Sequence, residues 1–199
     1  MEKEVEFQHL CTYDKILHAA LALMSEKGYS LVTTKEIAQH AGVSEMTLFR
    51  HFGTKKALFE KVVGRFSYGE HIHKLFDERL TYDLEADLLL ISETYHRIMH
   101  NNKELFLLSF KEGQMLQELE AFFQRNPIML KNLLIEYFKQ MQRMGKMREI
   151  DPESTAMTYI WMNYGYFHST TRCGKAISSI DVPAFVQQSV RIFLQGVQP

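Results

Sequence analysis

The chain has 199 residues, 46% of them apolar and 24% charged, enough for one domain, or a small one joined to a medium one, with a real core. Its formal net charge of −1 leaves no room for a uniformly basic surface, so any phosphate-binding face has to be local. No run of about 18 apolar residues occurs, which predicts no membrane span.

The N-terminal MEKEVEFQHL is acidic and lacks the apolar stretch of a secretion signal. Cys11 and Cys173 lie far apart without metal-ligand spacing. That usage suits a reducing compartment, and a cytoplasmic location is expected.

In chain order, residues 1 to about 11 read as a short polar arm. From Thr12 the run YDKILHAALALMSEKGY is helical, with Ile16, Ala20, Leu23 and Met24 on one face and Gly28 as its stop. Thr33 and Glu36 fit a capping box, so the next helix starts at Thr34, with Ile37, Ala38 and Ala41 on its apolar side. Gly42 supplies the left-handed conformation a sharp turn needs. Ser44 is the following N-cap, and Leu48, Phe49 and Phe52 form the buried side of the helix it opens. Glu45, Met46, Thr47, Arg50 and His51 fall on the other side. Two short helices with a tight turn between them are the layout of a helix-turn-helix, whose second helix enters the DNA major groove.

Thr54 caps a further helix and places Lys55 and Lys56 in its first turn, where the backbone dipole disfavours cations. An anion sharing that helix end would account for them, phosphate being the natural one; the plainer alternative is that both ammonium groups reach into water. Apolar spacing through Leu58, Phe59, Val62, Val63, Phe66, Leu75 and Phe76 predicts one helix from Lys55 to about Leu80, weakened or kinked at Gly64 and Gly69. Asp83–His100 and Lys103–Lys111 read as helices, Leu116–Phe123 as a shorter piece, and Pro127 as a first-turn residue of a helix reaching Met144. Pro152–Arg172 and Val182–Leu194 close the chain. No strand, repeat or low-complexity segment is indicated, and the fold reads as all-α.

Charge is divided unevenly. Between Thr33 and Arg65 stand six Lys or Arg and three Glu, a local excess of +3, while the remainder carries 17 basic and 21 acidic residues. A basic face confined to one small region is what phosphate contact requires. The excess is modest, which favours a dimer over a single subunit as the DNA-binding species.

The segment AxxAGVSxxTLFRHFxxKKxLF resembles the DNA-binding region of the tetracycline-repressor (TetR) family of bacterial transcription regulators. The match is tight over residues 33–59 and loose over the whole length, including GKMREIDPES into the penultimate helix and FLQG near the end. Two positions depart from the family pattern: Met46 stands where a small residue is usual, and Phe49 where Tyr is usual.

The resemblance implies a helix-turn-helix domain over residues 1–60 and a helical ligand-binding and dimerisation domain over 61–199. It implies a double-stranded, near-palindromic DNA operator, a homodimer formed through the last two helices, and a small hydrophobic or amphipathic effector that releases a repressor. Thr33, Thr34, His51, Lys55 and Lys56 would then bind phosphates. Thr47 and Arg50 would read bases, Arg50 seeking guanine acceptors. Glu45 would accept from cytosine or only repel wrong approaches.

For the effector, Tyr95, Phe106, Phe110, Trp161, Tyr164 and His168 are the candidate wall residues. In YIWMNYGYFHSTT, Trp161, Tyr164 and His168 share one helix face, and Tyr159, Met162, Asn163 and Tyr166 another. Aromatic walls with a few polar groups suit an amphipathic molecule, but an apolar stripe of this kind is more often core or subunit interface. Glu112 or Glu118 near such a cavity would favour a cationic effector.

His96 and His100, one turn apart, and His71 and His73 have metal-ligand spacing but no third ligand in sequence, so no metal is assigned, and no cofactor. Beyond Arg172 and Lys175, Cys173 has no adjacent basic cluster that would argue for a reactive thiolate. No GxSxG, P-loop or HExxH occurs, which argues against an enzyme. The other reading with the same fold is a DNA-bound protein that acts mainly through a protein partner.

Overall fold

A computed structural model describes residues 10–66, 68–111 and 117–199; the side chains of residues 109–111 and 117–123 fall outside the description. The described residues form ten helices and no strand: α1 Thr12–Lys27, α2 Thr34–His40, α3 Glu45–Phe52, α4 Lys55–Phe66, α5 Gly69–Glu78, α6 Leu84–Asn101, α7 Lys103–Lys111, α8 Gln117–Arg143, α9 Pro152–Cys173 and α10 Val182–Val197. The chain is all-α. The polar arm at residues 1–9, Glu112 and the side chains of Phe110 and Glu118 lie outside the described residues.

Two compact units are formed. The first takes the chain up to Ser67 together with Asn102–Phe123, and the second takes Tyr68–Asn101 and Gln124–Pro199. In the first unit α1 is the central element, packing against α2, α4 and α7. Ile16, Leu17, Ala20 and Met24 of α1 are fully buried with Ile37 of α2, Leu48 of α3, Leu58, Phe59 and Val62 of α4, and Leu108 of α7. The inclusion of α7 is not foreshadowed by the sequence; Ser25 Oγ of α1 donates to its Glu104 carbonyl at 3.2 Å.

In the second unit α6 is central and packs chiefly on α10, with α5 and α9 also against it. A polar ladder runs through its core. Tyr159 Oη donates to the Leu88 carbonyl at 2.5 Å and accepts from Ser92 Oγ at 2.6 Å. One turn further along both helices, His96 Nε2 pairs with Asn163 Oδ1 at 3.0 Å, while Asn163 Nδ2 donates back to the Tyr159 carbonyl. The two pairs have the same sequence separation, so α6 and α9 run in the same sense with matching register. A buried carboxylate is satisfied nearby: Asp87 accepts from the Thr81 amide and hydroxyl at 2.9 and 3.1 Å and from Tyr137 Oη at 2.8 Å.

Two element boundaries correct the sequence reading. The helix opened by Thr54 ends at Phe66 instead of continuing to Leu80, and α5 begins afresh at Gly69, with the Ile72 amide bonding the Tyr68 carbonyl. Glycine at 69 costs the continuous helix about 1 kcal/mol in propensity, and the apolar spacing that spans 58–76 serves two helices in turn. Conversely, Pro127 does not start a helix but lies inside α8. Buried Leu130, Leu134, Tyr137, Phe138 and Met141 keep helical spacing beyond it, and packing of that stripe outweighs the one backbone donor a proline removes.

Candidate nucleic-acid interface

The corner formed by α2 and α3 is locked by its own side chains. Thr33 caps α2: its Oγ1 accepts from the Glu36 amide at 3.1 Å, and Glu36 Oε2 accepts from the Thr33 amide at 2.8 Å and hydroxyl at 2.9 Å. Lys27 Nζ bonds the same carboxylate at 3.0 Å. These bonds, led by the Thr33 amide, hold the Glu36 carboxyl down at about 2. Gly42 turns the chain at φ +70, and the Val43 amide closes the turn on the Ala38 carbonyl. Ser44 then caps α3, its Oγ accepting from the Thr47 amide at 3.2 Å.

The faces of α3 separate cleanly, with one revision. Leu48 and Phe52, one turn apart, are buried, but Phe49 is 44% exposed. The sequence reading grouped all three, yet Phe49 sits about 100° around the helix from Leu48 and joins the outer face. That face carries Met46, 81% exposed, with Arg50 and His51. The His51 ring meets Tyr13 of α1 edge-on at 6.2 Å.

Glu45 and Thr47 are half-buried and already engaged. Thr34 Oγ1 donates to Glu45 Oε1 at 2.6 Å, tying the first turn of α2 to that of α3. Thr47 Oγ1 is 2.9 Å from Ser44 Oγ. Thr34 and Glu45, placed by sequence among the DNA-contacting groups, are thus partners of each other.

Thr54 caps α4 through the Ala57 amide at 3.0 Å. Lys55 Nζ lies 4.5 Å above the Tyr29 ring and 3.4 Å from the Ser30 carbonyl; Lys56 is exposed. Lys55 therefore has electron-rich neighbours within the chain, which sequence alone did not supply.

The other candidate group is less unified. Tyr95 is buried, touching Tyr68 edge-on at 5.5 Å, and burial pushes its hydroxyl pKa up, with Tyr164 adding to the shift. Tyr164 stacks on His168 at 5.8 Å, but their helix face is turned outward, and Trp161 is 63% exposed. Inside α9 the buried groups are Tyr159, Asn163 and Phe167. Phe106 is half-buried on α7 in the first unit.

The histidine pairs separate as well. His96 is buried between the ring edges and faces of Tyr95, Tyr166 and Phe185, whereas His100 is exposed. His73 pairs with Asp77 at 2.8 Å. Among the described residues no three His, Cys, Asp or Glu side chains are grouped as a metal site. None of the described helices is long and apolar enough to cross a membrane.

Residues 16–62 match the family described as bacterial regulatory proteins, tetR family, and residues 88–196 match the AefR-like transcriptional repressor C-terminal domain. The chain belongs to the TetR family. It is 31% identical over 186 residues, 94% of this chain and 97% of the relative, to the HTH-type transcriptional regulator YvkB of Bacillus subtilis.

Among solved structures it resembles NalD, the secondary repressor of the MexAB-OprM multidrug efflux pump in Pseudomonas aeruginosa. The TM-score is 0.74 at 17% identity, over 94% of this chain and 95% of that one. It also resembles FadR of Bacillus subtilis in complex with stearoyl-CoA, with a TM-score of 0.72 at 19% identity over 92% and 98% of the two chains. As a TetR-family member, the chain is a transcriptional regulator with an N-terminal helix-turn-helix.

Proposed function

We propose that this regulator works as a homodimeric repressor that leaves its operator when a small hydrophobic or amphipathic effector binds. The observation that carries the DNA-reading part is the outer face of α3. Met46, Arg50 and His51 project from a corner in which Thr34 is bonded to Glu45 and Ser44 to Thr47. A rigid corner presenting three outward side chains pays little ordering entropy on entering a groove. Arg50 reads guanine, Lys55, Lys56 and His51 bind phosphate, and Thr33 and Thr34 frame the α2 end of the site. In this reading residues 1–60 hold DNA, and 61–199 hold the effector and the second subunit.

Exposed Trp161 on α9 and Ile192 on α10, 63% and 59% accessible, support pairing through the last two helices. Large apolar side chains left in water on the two terminal helices are the residues a subunit contact would cover. The effector reading is supported by the stearoyl-CoA that the structurally similar FadR holds; of its aromatic candidates in this unit Tyr95 is buried, whereas Tyr164 and His168 lie on the outward face with Trp161. A 100-fold loss of DNA affinity on effector binding needs about 2.7 kcal/mol of coupling, so the effector must prefer the DNA-free state by that amount.

The test is stoichiometry and footprint on a duplex enriched from a random library. Two chains per duplex, protecting two segments about one helical turn apart, are predicted. One chain per duplex, or a single protected segment, contradicts the dimeric reading.

A further inference from the structure

We propose that Met46 is a specificity-determining residue that recognises the 5-methyl group of a thymine in the major groove. The proposal rests on the reading of α3 as the recognition helix and assigns what its first turn reads. Met46 is the most exposed of the large apolar side chains described, at 81%. Its two neighbours are turned to other tasks: Glu45 Oε1 is held by Thr34 at 2.6 Å, and Thr47 Oγ1 by Ser44 at 2.9 Å. The first turn of α3 therefore offers the groove a thioether between two committed polar groups.

A thioether has no hydrogen to donate and accepts only weakly. It cannot match the donor and acceptor pattern that distinguishes most base edges. One major-groove feature is apolar, the thymine methyl group. Methionine is unbranched and polarizable, so it can settle over a methyl group without a fixed approach angle.

Arg50 lies four residues on, on the same face, with a helical rise of about 6 Å between the two. Base pairs are stacked about 3.4 Å apart. The thymine read by Met46 thus falls within about two base pairs of the guanine read by Arg50. The bound half-site is a short T-and-G element, and Glu45 positions the helix through Thr34 instead of accepting from cytosine.

The probe is the enriched duplex with each thymine of one half-site replaced singly by deoxyuridine, which removes only the methyl group. Wild-type binding should weaken roughly fourfold at one thymine near the Arg50 guanine, the contribution of about one buried methyl group. Met46→Ala removes the contact from both half-sites of the dimer, so it should bind the thymine duplex roughly sixteenfold more weakly and show no loss with uracil at that position. Arg50→Ala should keep the uracil effect.

Uracil sensitivity that survives in Met46→Ala, or no thymine with an effect above about twofold, overturns the assignment while leaving DNA reading by α3 intact. A library that yields no enriched sequence overturns both. Because Met46 is in solvent, its alanine variant should melt with the wild type, and that melting curve confirms the comparison is between folded proteins.

Discussion

Lys55 holds its ammonium group 4.5 Å above the centre of the Tyr29 ring. A cation in the first turn of a helix is disfavoured by the dipole, and the ring face together with the Ser30 carbonyl at 3.4 Å offsets that cost before any DNA arrives. The side chain is thereby held at the helix end instead of sweeping through water. Lys55→Met keeps the stem and removes the charge. It should lower stability by no more than about 1 kcal/mol and reduce the slope of log affinity against log salt by about one per subunit. An unchanged salt slope would show that Lys55 serves the fold alone.

Thr33 tests the corner itself. Thr33→Ala removes the acceptor for the Glu36 amide and should cost about 1 kcal/mol of stability in thermal or urea unfolding. DNA affinity should fall with it, because the start of α2 is also where Thr34 reaches Glu45. Loss of affinity without loss of stability would instead make Thr33 a direct phosphate ligand.

The buried histidine gives a pH signature. Burial lowers the His96 pKa to about 4, against a partial lift from its bond to Asn163. The unfolded chain, with the ordinary value near 6.5, therefore binds the extra proton first as pH falls. The stabilising contribution of neutral His96 is complete above about pH 6.5 and is lost progressively down to about pH 4. Between pH 7 and 5 the loss amounts to about 2 kcal/mol. His96→Gln keeps an amide donor for Asn163 without titrating, so the difference between wild-type and variant stability curves isolates the effect. Parallel curves would contradict it.

Asp87 supplies a second check on the second unit. Tyr137→Phe removes one of the three hydrogen bonds its carboxylate accepts in a buried setting and should destabilise the protein by about 1–3 kcal/mol. A Tm within experimental error of the wild type would mean water replaces the phenol.

The surface of α9 and α10 can be tested directly. Trp161→Glu combined with Ile192→Glu should raise the dimer dissociation constant by well over tenfold in sedimentation, since a buried tryptophan is commonly an interface hot spot. Specific DNA binding should fall in parallel. An unaltered dimer would place the contact elsewhere.

Much of this was legible in the chain because the signals were local. Thr33 with Glu36, Gly42, Ser44 and Thr54 each fix a helix end through atoms within a few residues, and each behaves in the structure as its spacing predicts. What depended on distant partners was not legible. His96 reads in sequence as half of a possible metal pair with His100, and only the arrival of Asn163 from 67 residues away shows it as a core hydrogen-bonding group. The Tyr159 and Asn163 spacing, four apart on an apolar helix, was the available signal. Lys55 over Tyr29 and Glu45 under Thr34 likewise need the folded corner. The break between α4 and α5 reads in sequence only as a weakening or kink at Gly69, because apolar spacing persists across it.

The most direct test of sequence-specific DNA reading by α3 is selection from a randomised duplex library at near-physiological salt, with wild type and Arg50→Ala run side by side. The account predicts enrichment of a near-palindrome by the wild type, and loss of preference at particular guanines with Arg50→Ala. Identical enriched sequences for both proteins, or only weak salt-sensitive binding with no enrichment, would contradict it.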